Sequence, residues 1–326
     1  MFLLLQGHKC AFIMKTECFE LKSVCDGLGI SVLAAEPDVS APEVVILLSH
    51  GMCGCKERFM PFMEFMTRKG AVCVANDHRG HGRSVLSDSD LGYMYEGGYE
   101  ALVEDMALVA QWIHKSYEGI PVFLVGHSMG SMAARVFVRK HDELIDGVIL
   151  CGSPSWNPLS LAGYPLMAVL ERIGAGRSRP ALLSGLVSKV YNRRFAAEGH
   201  NAWTCSDPET RKAFRENGRC NYTFTVNGTK NLLAMMIDTY RNESWNVRNS
   251  SMPVLFLSGA DDPCMISEKR FHDAAKLMYR HGYHDVSSVI YDGMRHEILN
   301  EKEKEYVWND IFLFVESRVH TSDRLI

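Results

Sequence analysis

The chain has 326 residues, which favours either two domains or one large domain that carries an insertion. Its 35 lysines and arginines nearly balance its 39 aspartates and glutamates, so the net charge of −4 gives no sign of a nucleic-acid binder or an anionic-membrane binder. Hydrophobic residues make up 47% and charged residues 23%, as in ordinary globular proteins, which argues against disorder, collagen, coiled coil and disulfide miniproteins.

The first residues, 1–13, are expected to form a loose N-terminal tail. Their apolar run is too short for a secretory or membrane segment, and Met14 reads as well as a translation start as Met1 does. No later run has the roughly 18 apolar residues that a membrane span needs. Several cysteines lie in apolar runs such as residues 71–75, as reduced core cysteines do. These features predict a cytoplasmic protein.

The first strands follow this tail. Residues 19–24 and 30–35 are β-prone runs separated by the turn residues Asp26 and Gly27, so they predict an antiparallel hairpin. Residues 44–48 are apolar on both faces, as in a strand covered on both sides. Helices and strands then alternate: helices at 59–69, 98–117 and 129–140, and strands at 72–75, 122–125 and 148–151. This alternation predicts an α/β fold with a mostly parallel, doubly wound sheet.

The alternation stops between residues 154 and 249. Four helix-like stretches, at 159–173, 181–191, 209–216 and 230–241, follow one another with no clear strand between them. The α/β pattern then resumes with strands at 254–257 and 288–291 and helices at 267–279 and 302–319. We therefore expect one sheet domain in two parts, 14–153 and 250–326, with a helical cap or lid inserted at 154–249.

The strongest local motif is Gly126-His127-Ser128-Met129-Gly130, which follows a predicted strand and opens a predicted helix. A serine on so sharp a turn is held in a strained conformation that only small neighbours permit, and its hydroxyl is presented above the end of the strand. Ser128 is therefore the predicted nucleophile. The alternative is a structural Gly/Ser turn.

A serine hydroxyl is a weak nucleophile near neutral pH and needs a base that is oriented by a carboxylate. In hydrolases built on this turn, the acid and then the histidine follow the serine along the chain. Asp261 and Asp262 follow the strand at 254–257, and His296 follows the last predicted strand. We predict Asp262 as the acid, Asp261 as a loop-capping residue and His296 as the base. The alternative is that Asp261 and Asp262 are both ordinary turn residues without a catalytic role.

Acyl transfer also needs hydrogen-bond donors for the developing oxyanion. One is expected to be the backbone N–H of Met129, directly after the nucleophile. We assign the second to the backbone N–H of Met52, in the glycine-bearing segment that follows the strand at 44–48. The alternative for that segment is a tight turn without a catalytic role.

Two further segments invite a metal or phosphate interpretation. In the loop at 77–84, we expect Asp77 and Arg79 to tie neighbouring loops together, since the loop has no Walker lysine. Cys53 and Cys55 have no second cysteine pair at zinc-finger spacing. No metal site and no organic cofactor is predicted.

Together these motifs resemble the α/β-hydrolase superfamily, in particular its monoacylglycerol lipase, lysophospholipase and serine-aminopeptidase-like branch. The resemblance lies in HGMCGCKERF at 50–59, DHRGHGRS at 77–84, GHSMG at 126–130, GADDP at 259–263 and MRHEILNE at 294–301. Residues 202–204 and 220–225 are similar to segments of bacterial lysophospholipase-like members. The resemblance implies Ser128 as nucleophile, Asp262 as acid, His296 as base, and Met52 with Met129 as the oxyanion hole.

These features predict a serine esterase that cleaves carboxylic esters through an acyl-enzyme, with a monoacylglycerol or lysophospholipid-like ester of one acyl chain as substrate. The apolar stretch at 159–170 is the substrate clue, because a lid over a lipid site needs such a face. The same face could touch a membrane surface transiently, or simply pack on the core. The alternative functions are an acyltransferase or amidase with the same centre and a non-catalytic ligand-binding homologue.

Overall fold

The computed structural model of the protein describes residues 14–38, 41–180, 185, 189–241, 245 and 247–322. The expected N-terminal tail lies outside these ranges, as does most of the predicted helix at 181–191. The side chains of residues 320–322 are also outside the description.

Within the described residues, eight strands form one sheet in the order β1-β2-β4-β3-β5-β6-β7-β8. Strands β1 and β2 are antiparallel to each other, β2 is antiparallel to β4, and the remaining neighbours are parallel. The predicted hairpin and the mostly parallel, doubly wound sheet are confirmed. The strands are β1 Lys15–Lys22, β2 Gly29–Glu36, β3 Val45–Ser49, β4 Val72–Asn76, β5 Val122–His127, β6 Gly147–Cys151, β7 Val254–Gly259 and β8 Val286–Tyr291.

The sheet is covered on both faces because successive strand residues point to opposite sides. Val45 and Leu47 face one helical layer, whereas Ile46 and Leu48 face the other. The first layer contains helices α2 Gly98–Ser116, α3 Met129–His141 and α7 Glu268–Arg280, and the second contains α1 Met60–Thr67 and α8 Lys304–Ser322. The continuous apolar runs of the central strands therefore have a packing partner on each side.

The described part of the segment between β6 and β7 contains helices and no strand. Helices α4 Leu159–Leu170, α5 Pro208–Glu216 and α6 Val226–Thr239 lie in it. The sequence placed the end of α4 at residue 173, but the helix changes to a π turn at Glu171–Ala175, where Gly174 has φ +89°. The sequence pattern predicted that α6 starts at residue 230. The helix starts earlier, at Val226, because Thr225 caps it by accepting a hydrogen bond from the Gly228 N–H.

The crossovers of the sheet create a crevice at one edge. From β3 the chain crosses to β4 on one side and then returns to β5 on the other side of β3. In such sheets the crevice at the carboxyl ends of the two strands flanking the reversal is the preferred ligand site. Ser49 and Gly126, opposite each other at the ends of β3 and β5, mark this position. No helix among the described residues is long and apolar enough to cross a bilayer.

Candidate active site

Ser128 lies at the turn from β5 to α3 with φ 54° and ψ −119°. A residue other than glycine rarely adopts this backbone conformation, which costs on the order of 1–3 kcal/mol and is maintained only by its surroundings. The two motif glycines allow a close approach of backbone segments. A Cβ at Gly126 would lie 2.5 Å from the Gly130 carbonyl oxygen, and one at Gly130 would lie 2.1 Å from that of Ser49. Both positions therefore require glycine.

The structure brings the three predicted residues into one hydrogen-bonded chain. His296 Nε2 lies 2.7 Å from Ser128 Oγ, and His296 Nδ1 lies 2.9 Å from Asp262 Oδ2. Asp262 and His296 are both buried, with 4% of each residue exposed. The second carboxylate oxygen of Asp262 accepts a hydrogen bond from the Cys264 N–H, which fixes the orientation of the carboxylate.

Burial acts to lower the pKa of His296, but the adjacent Asp262 carboxylate outweighs it, and the pKa lies well above the usual 6.5. The carboxylate therefore stabilises the imidazolium form. This is the electrostatic arrangement that a base needs when it takes a proton from a hydroxyl group.

Asp261 has a different environment from Asp262. Its carboxylate forms an ion pair with Arg194 at 2.6 Å, and Arg194 belongs to the segment between β6 and β7. The prediction that Asp261 caps the loop is wrong, because Asp262 accepts the hydrogen bond that caps the short helical turn at Pro263–Met265. One aspartate thus orients His296 and caps the loop, while the other contacts the inserted segment.

The predicted oxyanion segment follows β3. Gly51 packs on the nucleophile turn, since a Cβ there would lie 3.1 Å from Ser128 Cβ and 3.0 Å from His127 Nδ1. Within the described part of the chain, neither the Met52 N–H nor the Met129 N–H has an acceptor. Two free backbone donors therefore belong to the two residues that follow Gly51 and Ser128.

Sequence reasoning missed the residue that supports this segment. His50 Nε2 accepts a hydrogen bond from the His78 N–H at 3.0 Å, so its proton is on Nδ1, which donates to the Gly51 carbonyl at 2.8 Å. Burial lowers the pKa of His50 to about 4, which keeps the ring neutral and this pattern intact. The available signal was the place of His50 at the start of the block HGMCGCKERF at 50–59.

The loop at 77–84 ties its neighbours together, as predicted. Asp77 accepts hydrogen bonds from Lys56 Nζ at 2.6 Å and from the Arg83 N–H at 2.8 Å. Arg79 donates to Asp105 at 2.8 Å and to Asp26 at 2.9 Å. Buried polar groups paired in this way hold the loop rigid beside the oxyanion segment.

Cys53 and Cys55, in the segment that follows β3, make separate contacts. Cys53 Sγ donates to the Tyr222 carbonyl at 3.0 Å, and Cys55 Sγ lies 3.7 Å from Cys220 Sγ. The one metal-compatible group of three or more side chains found among the described residues lies elsewhere, at Asp262, Cys264 and His296.

The segment between β6 and β7 reaches His296, the predicted base. The Trp203 and His296 rings lie 5.1 Å apart between centroids, and the Glu297 N–H donates to the Thr204 carbonyl at 2.7 Å. Arg295 donates to the Ala202 carbonyl at 2.6 Å. Residues 202–204 therefore hold the loop that carries His296. The sequence motif hinted at these residues, but their contact with the base could not be foreseen.

The family profile described as serine aminopeptidase, S33, matches residues 40–303. The chain is similar to a monoglyceride lipase of Rattus norvegicus, with 31% identity over 169 residues, or 46% of this chain and 51% of the relative. The chain thus spans about half the length of this relative. A monoacylglycerol lipase of Mycolicibacterium smegmatis is 23% identical over 285 residues, which cover 87% of this chain and 91% of the relative.

Among solved structures, a thermostable carboxyl esterase from Bacillus coagulans, crystallised with glycerol, superposes with a TM-score of 0.84 at 22% identity. The superposition covers 94% of this chain and 100% of the esterase. It shows that the two chains share the α/β-hydrolase fold.

Proposed function

Because the chain belongs to the serine aminopeptidase, S33, family of α/β-hydrolases, we propose that it is a carboxylic ester hydrolase of the monoacylglycerol lipase type. The observation that carries this proposal is the chain of hydrogen bonds from Ser128 through His296 to Asp262. Its atoms are at the distances that proton transfer requires before any substrate is bound.

The reaction follows from this geometry. Ser128 Oγ attacks the ester carbonyl as its proton passes to His296 Nε2, and Asp262 stabilises the imidazolium. The Met52 and Met129 N–H groups bind the oxyanion of the tetrahedral intermediate. His296 then protonates the departing alkoxide as the C–O bond breaks, which leaves an acyl group on Ser128. Water, deprotonated by His296, hydrolyses this acyl-enzyme and regenerates the serine.

The proposed substrate is an ester with one acyl chain, such as a monoacylglycerol or a lysophospholipid. Helix α4, in the proposed cap at 154–249, supports this choice because it turns only Ser160 and Met167 fully inward. The large apolar side chains that it leaves in solvent are Leu159, Leu161, Leu166 and Val169, each more than half exposed. An exposed apolar face of this kind suits contact with acyl chains or a lipid surface.

The first test is labelling with a fluorophosphonate probe. We expect the wild-type chain to be labelled on Ser128, and Ser128→Ala to lose both labelling and hydrolysis of p-nitrophenyl esters. Ser131→Ala is a matched control, because Ser131 is one turn away and donates to the Ser128 carbonyl. Failure of the wild-type chain to react with the probe would favour a non-catalytic binding protein.

The second test is a panel of acyl esters graded by chain length and head group. Monoacylglycerols and lysophospholipids should give a higher kcat/KM than triacylglycerols or short water-soluble esters. Added alcohol or amine acceptors would reveal an acyltransferase if transfer exceeded hydrolysis, and acyl amides would reveal an amidase.

A further inference from the structure

A buried thiol lies beside the proposed base and its carboxylate. The ligand atoms of Asp262, Cys264 and His296 all lie within 4.8 Å of one another, and all three residues are buried. Cys264 follows Asp262 by two residues, in the short helical turn that the Asp262 carboxylate caps. The proposed mechanism gives this thiol no task.

The three donors match the preferences of a thiophilic divalent cation. Zinc is bound by cysteine sulfur, histidine nitrogen and carboxylate oxygen, often through three protein ligands with a fourth position open. Nitrogen and oxygen donors on a tetrahedral zinc are separated by about 3.3 Å. The 2.9 Å between His296 Nδ1 and Asp262 Oδ2 is therefore close to the required spacing. The carboxylate and a thiolate would together neutralise the two positive charges.

We propose that Asp262, Cys264 and His296 form an inhibitory site for a thiophilic divalent cation such as Zn²⁺ or Cd²⁺. The cation binds Asp262 Oδ2, Cys264 Sγ and His296 Nδ1. Its binding displaces the thiol proton to solvent and replaces the hydrogen bond between the imidazole and the carboxylate.

The predicted effect on catalysis follows from the tautomer of His296 and, for this effect only, rests on the proposed function. Catalysis needs a proton on Nδ1 and a free electron pair on Nε2, facing Ser128. A cation on Nδ1 leaves the proton of the neutral ring on Nε2. That nitrogen then donates to Ser128 Oγ and cannot take its proton, so the bound cation switches the centre off.

A cleft lies beside the site. Its lining includes Asp262, Pro263 and Met265, together with Arg194 and Phe195 of the inserted segment. The cleft brings solvent to the loop that carries Asp262 and Cys264, whereas the Asp262 carboxylate itself is buried.

The test is a Cd²⁺ titration of the full chain, followed through the ultraviolet absorption of cadmium thiolate bonds. Cys264→Ala and Cys264→Val remove the sulfur, and the second fills its volume. Cys73→Ala is the matched control, since Cys73, in β4, is another buried free thiol. We expect both Cys264 variants to bind one equivalent of Cd²⁺ fewer than the wild type. They should also bind one equivalent of Cd²⁺ fewer than Cys73→Ala. The Ser128→Ala variant, which removes the hydrogen-bond partner of His296 Nε2 but none of the three ligand atoms, should keep that equivalent of Cd²⁺.

In parallel, Zn²⁺ should inhibit ester hydrolysis by the wild-type chain, and a chelator should restore it. Both Cys264 variants keep the backbone N–H that orients Asp262. Relative to its own metal-free rate, each should need at least about 10-fold more Zn²⁺ for half inhibition, as even loss of a ligand's hydrogen-bonding partner weakens metal sites that much. Equal cadmium stoichiometry, or equal zinc sensitivity, in wild type and Cys264 variants would overturn the site. A wild-type chain that hydrolyses no ester would refute the proposed function instead, and the cadmium stoichiometry would still decide the metal site.

Discussion

The hydroxyl oxygen of Ser128 lies 2.7 Å from Nε2 of His296, although 168 positions of sequence separate the two residues. Backbone hydrogen bonds at the ends of adjacent strands connect them. The Ser128 N–H donates to the Cys151 carbonyl at 3.0 Å, and the Gly152 N–H donates to the Leu257 carbonyl at 2.8 Å. The Asp261 N–H donates to the Met294 carbonyl at 3.0 Å. Each loop is thus anchored to the next, from β5 across to β8.

The two adjacent aspartates should differ sharply in their effect on catalysis. Asp262→Asn should lower kcat by about 10⁴-fold, because an amide neither holds the required tautomer of His296 nor stabilises its charge. Asp261→Asn removes only a partly exposed ion pair with Arg194 and should change kcat by at most about fivefold. Steady-state kinetics with a p-nitrophenyl ester measures both. Similar losses in the two variants would contradict the assignment of Asp262 as the acid.

The pH dependence of kcat/KM should report the pKa of His296. The base must be neutral, so activity is present at high pH and is lost as the pH falls through the pKa of this residue. Burial alone would lower that pKa, but Asp262 raises it above 6.5, and the acid limb should therefore lie above pH 6.5. A profile from pH 5 to 9 checks this, with thermal unfolding followed at the same pH values as the control. An acid limb below pH 6.5 would refute the interpretation.

Buried neutral histidines should make the fold sensitive to acid. Burial is the main cause that lowers the pKa of His50 to about 4, of His127 to about 4 and of His81 to about 3. Below pH 6.5 these histidines bind protons in the unfolded chain, whereas in the folded chain they stay neutral until the pH is much lower. The free energy of unfolding should therefore fall between pH 6.5 and 4, by up to about 1.4 kcal/mol per pH unit for each histidine.

Urea unfolding at pH 7, 6 and 5 measures this loss. His81→Asn should make the pH dependence shallower, since it removes one such ring and its amide can replace the hydrogen bond to the Arg79 carbonyl. His200→Asn, at an exposed position, serves as the control and should leave the slope unchanged. The raised pKa of His296 acts in the opposite direction only above pH 6.5, because below that value both the folded and the unfolded chain carry its proton. Stability that rises on acidification would contradict the prediction.

Gly130 should not tolerate a side chain. A Cβ there would lie 2.1 Å from the Ser49 carbonyl oxygen, so Gly130→Ala must push the start of α3 away from the end of β3. We expect a loss of about 1–3 kcal/mol in unfolding free energy, together with a lower kcat because Ser128 moves. Gly218→Ala, which meets no atom within 4 Å, should change stability by less than about 0.5 kcal/mol. Equal stability of the two variants would show that the close contact is relieved without cost.

The sequence predicted the sheet well because its signals are local. A strand such as β3 is apolar on both faces only if both are covered, and the turn at Ser128 needs small residues on either side. The order of the strands in the sheet could not be predicted from these local signals. The rule that carboxyl ends of parallel strands share an edge was sufficient to choose Ser128, Asp262 and His296 from a chain with 13 histidines.

Other features depend on contacts that no local pattern records. Which aspartate caps the loop depends on which carboxylate points inward. Asp262 points inward, whereas Asp261 pairs with Arg194. The position of Trp203 against His296 depends on how the inserted segment folds back over the sheet. The role of His50 depends on a backbone N–H of a different loop. Each involves residues far apart in sequence.

The register between β6 and β7 has a consequence for how such chains diversify. Val148 pairs with Val254, so the polypeptide leaves the sheet after one strand and re-enters it at the adjacent one. Closing a longer excursion costs little, because each doubling of its length adds only about 0.6 kcal/mol. Evolution, or a protein engineer, can therefore lengthen, shorten or reshape the parts of the excursion that do not contact the strand-end loops, whereas residues 202–204, which hold the loop of His296, must be kept.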